Sequence, residues 1–514
     1  MLIIVLFVIV AILIYYQFFE PFTYWRKRGV PHEKPTFLFG NLAPVILQQM
    51  SMADASLLTY QQFKNERYIG VYYFLKPGLV LRDPELIKLI FVKEFETFPE
   101  HNTFTSVEAD PIWSNSLFAM PGGQHWRDMR AILSPTFTSS KLRQMFCLID
   151  QCTKQFIEHL VAQGGFVEME MKDAFSKVTN DIIATTAFGV TCDSLTNPTN
   201  ELFRNGKEVS NFSGFANSLK FFISNISPSL AKLMKIRFIS APTTEFFRRI
   251  VKETVTLREE KGVVRPDLIH LLMEARKGKL KRDHSPDNQI AAVSEHFEVT
   301  DDIMTAQAVV FFMAGFDTSS TAMSYTTYEL ALNYDIQQRL IDEVDRTFEA
   351  CDGKLTYDLL MGMKYLDMVI SEALRKWPPF AITDRCPVRP FTLPSTNGEK
   401  PLLLDRHVVC QIPIYAIHRD ETYYPEPVKF DPERFSEENK HKIKPFTYLP
   451  FGVGPRNCIG SRFALLEVKI IIAHILRKFE IVPIKNTPIP LTFSKDNVNP
   501  VSDKGYWVGL KPRM

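Results

Sequence analysis

The stretch 450–464, PFGVGPRNCIGSRFA, sets one cysteine in a loop rich in glycine, arginine and proline, directly before an apolar helical pattern. Gly454 and Gly460 are expected to permit positive φ and a close approach of the backbone to a flat ligand. The pattern SRFALLEVKIIIAHIL predicts a helix whose N-terminus points toward Cys458. Helix and loop amides at that position are expected to lower the pKa of the thiol.

A thiolate in this setting narrows the kind of site that the loop can form. Zinc needs three or four protein ligands, and no second cysteine or histidine lies near Cys458 in sequence. One thiolate suffices as the axial ligand of haem, because the porphyrin fills four positions itself. Arg456 is then expected to pair with a propionate and Phe451 to cover the sulfur. The alternative is a buried structural cysteine.

Composition excludes several other classes of protein. Seven scattered cysteines without a CxxC pair indicate neither a disulfide framework nor a zinc knuckle, and favour a reducing compartment. A net charge of +2 without a long basic block gives no reason to expect nucleic acid as a partner. The 41 phenylalanines among 514 residues suggest space lined by aromatic rings.

The N-terminus carries 19 residues without a charge, MLIIVLFVIVAILIYYQFF, followed by the basic cluster Arg26-Lys27-Arg28. A helix of that length reaches roughly 28 Å, close to the ~30 Å hydrocarbon core of a bilayer. The run lacks the basic start and the small-residue cleavage site of a signal peptide, so we predict an uncleaved anchor over 1–22. Tyr24 and Trp25 are expected at the membrane interface, with the body of the protein in the cytosol.

The remaining chain is predicted to form one large, mainly helical domain with small β-sheets. Residues 23–49 contain the basic cluster and separated prolines and predict a linker, and 50–514 shows no repeat or flexible linker that would divide it. Long apolar periodicities predict helices near 124–162, 301–333 and 461–478, among others.

Three further stretches hold residues of possible chemical use. In FFMAGFDTSS (311–320), Ala314 and Gly315 leave room for a planar group beside a helix, although a glycine packing notch is the alternative. Thr318 is placed to bond the carbonyl of residue 314 and bend that helix, and the acid Asp317 precedes it. The pairs Glu372/Arg375 and Trp126/Arg130 lie three and four residues apart on helical patterns. Alone, each pair predicts an ordinary ion pair or core residue.

The loop FGVGPRNCIG has every fixed position of the haem-binding loop of the cytochrome P450 monooxygenases, and the resemblance covers nearly the whole chain. It implies haem b ligated by Cys458, a dioxygen groove at Ala314 and Gly315, and proton relay through Asp317 and Thr318. It implies a structural triad of Glu372 and Arg375 with Arg434 from FDPERF. It also implies propionate contacts, which we expect from Trp126, Arg130 and Arg385 besides Arg456.

The same resemblance implies a substrate site and partners. Substrate-lining positions are expected to carry a mostly apolar wall: Phe104, Phe118, Phe212, Phe215, Phe311, Phe380 and Ala381. The mixed apolar and basic segment 219–240 is expected to dip into the membrane surface. No flavin or nucleotide fingerprint occurs in the chain, so electrons are expected from NADPH through a separate reductase. The basic residues expected to face it are Arg127, Lys141, Arg143, Lys440, Lys442 and Lys444.

These features together imply a monooxygenase on the endoplasmic reticulum membrane, facing the cytosol, which inserts one oxygen atom of O2 into lipophilic small molecules. FFMAGFDTSS, FLFGN and SDKGYW are most similar to insect microsomal members, often linked to detoxification of plant toxins and insecticides. An endogenous hormone or fatty-acid hydroxylase, a reductase-independent isomerase or dehydratase, and a silent lipophile binder are the alternatives. Whether cytochrome b5 takes part is left open.

Overall fold

The protein, described from a computed structural model, is mainly α-helical with small β-sheets, as predicted, and its described residues form three of these sheets. The structure describes residues 1–103, 105, 107–265, 267–277, 297–395 and 400–513. Its α-helices are α1 Leu2–Phe18, α2 Tyr24–Arg28, α3 Ala43–Ile46, α4 Met52–Gln62, α5 Pro84–Lys88, α6 Pro111–Ser114, α7 Gln124–Leu133, α8 Ser139–Ala162, α9 Met171–Ile183, α10 Glu201–Val209, α11 Phe215–Ile226, α12 Pro228–Leu233, α13 Ala241–Lys261, α14 Leu268–Arg276, α15 Asp301–Leu332, α16 Tyr334–Glu349, α17 Tyr357–Met361, α18 Lys364–Lys376, α19 Ile414–Ile417 and α20 Ser461–Lys478.

The sheets are small, with two to four strands each. Their strands are β1 Tyr68–Tyr73, β2 Lys76–Leu81, β3 Val167–Glu170, β4 Thr383–Arg385, β5 Phe391–Leu393, β6 Leu402–Leu404, β7 Val409–Ile412, β8 Phe479–Val482 and β9 Trp507–Pro512. One sheet has the order β1-β2-β7-β4, in which only the β2–β7 pair is parallel, and the second has the order β3-β9-β8. Strands β5 and β6 form an antiparallel pair.

Helix α15 is the central element of the fold. It runs for 32 residues, and the side chain of Thr300 caps its N-terminus by accepting a hydrogen bond from the amide of Ile303 at 3.2 Å. It packs against α6, α9, α13 and α20. Because apolar neighbours surround it, residues on nearly all sides of the helix are buried, which is typical of a core helix rather than an amphipathic surface helix.

The N-terminal helix stands apart from this core, because none of the residues of α1 is buried. No single helix in the described part of the chain combines the length and hydropathy of a membrane span. Helix α1 and the segment Glu20–Arg28 meet those criteria together, across a 50° bend.

The predicted linker over 23–49 differs from the structure, because several of its residues pack onto the body. Trp25 is fully buried, and its indole nitrogen donates a hydrogen bond to the Val71 carbonyl at 2.8 Å. The Tyr72 hydroxyl also accepts a hydrogen bond from the Trp25 amide at 3.2 Å. Trp25 is therefore a core residue next to β1, and its predicted place at the membrane interface is wrong.

Candidate active site

The cysteine loop is bent sharply before α20 begins. The amide of Cys458 donates to the Phe451 carbonyl at 2.9 Å, and the amide of Asn457 donates to the Gly454 carbonyl at 2.9 Å. Gly454 has φ of 78°, but a Cβ at this position would collide with the backbone carbonyl of Phe91. On this side the glycine approaches protein backbone, which the sequence did not predict, and the predicted approach of the loop to a flat ligand stays a prediction.

The other predicted loop glycine, Gly460, also differs from expectation. Its φ is −92°, so it does not use the left-handed region. A Cβ at Gly460 would lie 3.8 Å from the ring of Phe137, in ordinary contact.

The thiol of Cys458 lies inside a cleft: its side chain is accessible, yet protein surrounds it closely enough for burial to raise its pKa. The amide of Gly460 and the charge of Arg130 act in the opposite direction and lower it. Burial outweighs both, so the predicted net lowering is wrong for the protein alone. A metal cation at the sulfur reverses this balance, because its charge stabilises the thiolate directly.

Arginines converge beside this loop. The Arg130 guanidinium donates to the carbonyl and side-chain oxygens of Asn457 at 3.0 and 2.9 Å. Arg456 lies over the ring of Trp126 at 4.6 Å, and Arg385 is fully buried. Burial lowers the pKa of Arg456 to about 9 and those of Arg130 and Arg385 to about 10.

Two of these arginines keep unused donors. In the described part of the chain, the buried Nε atoms of Arg385 and Arg456 have no hydrogen-bond partner. Concentrated buried positive charge with unpaired N–H groups favours an anionic ligand at this place. The four residues predicted to contact propionates thus lie at or beside the cysteine loop, and their role as propionate contacts stays a prediction.

His101 belongs to the same cluster, and sequence reasoning missed it. Its Nδ1 lies 2.8 Å from an Asp384 carboxylate oxygen, and its ring stacks on Phe118 with centroids 4.7 Å apart. Burial and the neighbouring Arg385 lower the pKa of His101 to about 4, so its imidazole is neutral at physiological pH. A lone histidine in the stretch PEHNTF carries no spacing signal, and only the fold places it beside the arginines.

One face of α15 looks toward the cysteine loop. Ala314 is exposed and Thr318 half-buried on a helix whose residues are mostly buried, and Phe311 stacks on Phe137 with centroids 5.7 Å apart. Phe137 in turn is the residue that borders Gly460. The Thr318 hydroxyl donates to the Ala314 carbonyl at 2.7 Å, as predicted. Phe137 therefore links this face of α15 to the cysteine loop.

Two other predicted residues of α15 face elsewhere. A Cβ at Gly315 would collide with the side chain of Ile183 on α9, so this glycine is a packing notch between helices, and its predicted place facing a planar ligand is wrong. The carboxylate of Asp317 is ion-paired with the ammonium of Lys172, also on α9, at 2.8 Å. Asp317 and Thr318 are adjacent in sequence but bonded to different partners.

The predicted triad is present and buried. Glu372 and Arg375 are both fully buried and joined by two hydrogen bonds of 2.7 and 2.8 Å, and Arg434 lies 3.5 Å from Glu372. Arg375 also donates to the His418 carbonyl at 2.8 Å. The triad therefore fastens α18 to the segment that leads to the cysteine loop, which is a structural role.

The predicted substrate-lining residues fall into three groups. Phe118 and Phe380 are each 47% exposed, and Phe212 packs against Trp113. Phe215 is 73% exposed at the start of α11, and Ala381 is buried, so both differ from the predicted wall of a cavity. Phe104 lies outside the described residues.

Comparison with known proteins agrees with this geometry. Residues 30–505 match the family model described as Cytochrome P450. The chain belongs to the cytochrome P450 family. It is 46% identical to "Cytochrome P450 9e2" of Blattella germanica (95% of this chain, 94% of the relative) and 40% identical to "Probable cytochrome P450 9f2" of Drosophila melanogaster (99% and 98%). It is 37% identical to "Cytochrome P450 6k1" of Blattella germanica (95% and 92%).

Membership of the cytochrome P450 family makes the protein a haem-thiolate monooxygenase that uses O2. The residues of the site fit this cofactor: an accessible thiol lies in a cleft, with unpaired guanidinium donors beside it. Cys458 would ligate the iron, and Arg130, Arg385, Arg456 and Trp126 would hold the propionates. When bound, haem supplies the oxygen chemistry, while the protein supplies ligation, orientation and protons.

Proposed function

We propose that this cytochrome P450 is membrane-anchored, receives electrons from NADPH through a separate reductase, and oxygenates lipophilic small molecules. The observation that carries the proposal is the Cys458 thiol, which is accessible yet closely surrounded by protein. Phe137 links its loop to the face of α15 that carries the accessible Ala314 and Thr318. The overall reaction is RH + O2 + NADPH + H⁺ → ROH + H2O + NADP⁺. Each turnover consumes protons, so residues that hold or pass protons are part of the site.

Within this proposal, Thr318 is the hydroxyl that passes protons into the site. Its hydroxyl donates to a carbonyl of its own helix and keeps lone pairs free to accept a proton from a donor. Asp317 is the acid beside it in sequence. The pair is proposed to pass protons into the cleft, with Thr318 at the cleft and Asp317 toward solvent, where its carboxylate is 23% exposed.

The proposed substrate class rests on a wall of aromatic residues around Trp113. Trp113 contacts Phe118, Phe212 and Phe238, with ring centroids 5.9, 6.0 and 6.3 Å apart. Such a wall favours lipophilic molecules that few polar groups orient. Detoxification of plant toxins or insecticides is the proposed role, on the resemblance of the sequence motifs to insect microsomal members, and hydroxylation of an endogenous hormone or fatty acid is the alternative.

The proposed reductase surface is less basic than its sequence suggests. Arg127 is ion-paired with Glu96, and Arg143 with Asp358. Lys440 lies 2.5 Å from a Glu437 carboxylate oxygen. Exposed pairs of this kind are weak and exchange partners readily, so an acidic flavoprotein can still compete for these cations.

We propose the endoplasmic reticulum membrane as the location; two exposed segments support attachment to a membrane. Helix α1 has no buried residue. In the segment 219–240, Leu233 is 79% and Met234 56% exposed, and they lie beside Lys232 and Lys235. Exposed apolar side chains flanked by lysines are typical of a surface that rests on a bilayer.

The deciding experiment is the carbon monoxide difference spectrum of the dithionite-reduced protein, wild type beside Cys458→Ser. We expect a strongly red-shifted Soret band in the wild type and its loss in the variant. A band typical of histidine ligation in the wild type would remove the basis of the mechanism. NADPH consumption with added reductase and a lipophilic ligand then distinguishes a monooxygenase from an isomerase or a silent binder, neither of which consumes NADPH above background.

A further inference from the structure

The imidazole of His418 lies in the core and is hydrogen-bonded through both of its ring nitrogens. Its side chain is fully buried. Nδ1 lies 3.0 Å from the carbonyl oxygen of Arg375 on α18, and Nε2 accepts a hydrogen bond from the amide of Leu449 at 2.9 Å. Because a backbone amide can only donate, Nε2 carries no proton, and the proton of the neutral ring lies on Nδ1 and is donated to the Arg375 carbonyl. The two partners therefore fix one tautomer of His418.

The surroundings of the ring keep it neutral and in place. Burial and the charge of Arg375 lower the pKa of His418 to about 3, so the imidazole is neutral at physiological pH. The ring stacks on Tyr448 with centroids 5.7 Å apart, and the Tyr448 hydroxyl donates to the carbonyl of Ser371 at 3.1 Å. Ser371 lies on α18, like Arg375. The imidazole and the phenol thus connect residues 448 and 449 to the same helix.

The chain continues from Leu449 into the cysteine loop. Leu449 is buried, and its carbonyl accepts a hydrogen bond from the amide of Gly452 at 3.1 Å. Two residues after Leu449, the carbonyl of Phe451 accepts a hydrogen bond from the amide of Cys458 at 2.9 Å. The position of Leu449 is therefore passed on to Cys458 by hydrogen bonds within the loop.

The backbone of His418 is fastened to the buried triad on the opposite side. The guanidinium of Arg375 donates to the His418 carbonyl at 2.8 Å, while the ring of His418 reaches Leu449. A buried amide that loses its acceptor is costly, so the Leu449 amide depends on Nε2. The ring of His418 thus links α18 to the start of the cysteine loop.

We propose that His418 is a positioning residue for the haem ligand: its ring holds Leu449, and through Leu449 it holds the loop that presents Cys458. The inference rests on Cys458 as the proposed haem ligand. His418 acts on the thiolate only through this loop.

The link to Leu449 is tested without turnover, by hydrogen–deuterium exchange and peptide mass spectrometry of the full-length holoprotein. His418→Gln and His418→Asn form a matched pair, because both side chains end in an amide and only the longer one reaches the place of Nε2. In His418→Asn the amides of residues 449–458 should exchange at least about tenfold faster than in the wild type, since the Leu449 amide loses its acceptor. In His418→Gln they should stay within about threefold of the wild type. Equal exchange of 449–458 in the two variants would overturn the proposal.

A second region of the protein separates positioning from a general loss of stability. The amides of the antiparallel strand pair β8–β9 should exchange at the wild-type rate in both variants. If β8–β9 were accelerated by the same factor as 449–458, the role of His418 would be merely structural and the proposal would be wrong. His441→Asn is the control, because His441 is exposed, and it should leave exchange unchanged.

The consequence for ligation is tested with the carbon monoxide spectrum of the reduced holoproteins during incubation at a mildly raised temperature. In His418→Asn the red-shifted Soret band should give way to the band of thiol-ligated haem at least about fivefold faster than in the wild type. His418→Gln should lose the red-shifted band within about twofold of the wild-type rate. Equal rates in the two variants would contradict the positioning role. Absence of the red-shifted band from fresh wild-type protein would instead show failure of the proposed function, which the exchange measurement does not depend on.

Discussion

Glu467 is a buried acid that lacks the basic partner of the other buried glutamates. Glu372 is paired with Arg375, and Glu329 lies 2.8 Å from the ammonium of Lys376. Glu467, on α20, is fully buried, and neither of its carboxyl oxygens has a hydrogen-bond partner among the described residues. The Ser319 hydroxyl of α15 faces it and offsets part of the burial effect, without reaching hydrogen-bond geometry.

Burial raises the pKa of Glu467 from 4.5 to about 8, so the folded protein keeps this carboxyl protonated at neutral pH. The folded state therefore binds a proton that the unfolded state has released at any pH between these two values. Stability falls as pH rises through this window, by about 1.4 kcal/mol per pH unit. The full loss, reached above pH 8, is on the order of 5 kcal/mol relative to acid pH.

Glu467→Gln removes this dependence, because the amide is neutral at every pH. The measurement is the difference in thermal midpoint between the variant and the wild type, as matched holoproteins, from pH 5 to 8.5. With roughly 1 kcal/mol/K of unfolding entropy for a chain of 514 residues, the difference should change by about 1 °C per pH unit in favour of the variant. Any packing change caused by the amide shifts the difference in thermal midpoint by the same amount at every pH. A difference that does not vary with pH would refute the reasoning.

Two further substitutions test the structural frame of the site. Glu372→Ala leaves the Arg375 charge buried and unpaired, so we expect a loss of about 3–5 kcal/mol and of haem content, measured by thermal unfolding and the carbon monoxide spectrum. Asp358→Ala breaks the exposed ion pair with Arg143 and should change neither the stability nor the haem content. Equal losses in Asp358→Ala and Glu372→Ala would contradict the argument from burial. Gly454→Ala should prevent correct folding of the cysteine loop and abolish the red-shifted band, because the added Cβ collides with a backbone carbonyl. Gly164→Ala, with φ of 71° and open space around it, controls for backbone strain alone.

Local patterns predicted most of the elements that carry the site. The apolar run of 301–333 predicted α15 to within one or two residues, and the run after Cys458 predicted α20. These predictions hold because helix periodicity and start signals are read from neighbouring residues. The hydrogen bond from Thr318 to the Ala314 carbonyl could also be predicted from neighbouring residues, since its two partners are one helical turn apart.

Contacts between distant segments could not be read in this way. The sequence predicted that the backbone at Gly315 and Gly454 needs glycine, but it did not predict the neighbours. Gly315 approaches the side chain of Ile183 on α9, and Gly454 approaches the Phe91 carbonyl. His101 enters the arginine cluster, and Trp25 enters the core, through segments far away in sequence. No spacing rule specifies such neighbours.

By itself, the sequence determined the family, the helical class, the cysteine proposed as haem ligand and the residue types of the buried triad, because each depends on residue identity at short spacing. Only the tertiary structure decided the pKa values and ion-pair partners of the ionisable groups at the site. Burial raises the pKa of the Cys458 thiol, and Lys172 on α9 holds the carboxylate of Asp317. The physical reason is that electrostatic energy depends on distance through space and on exclusion of water, and both are set only when helices from distant parts of the chain pack together.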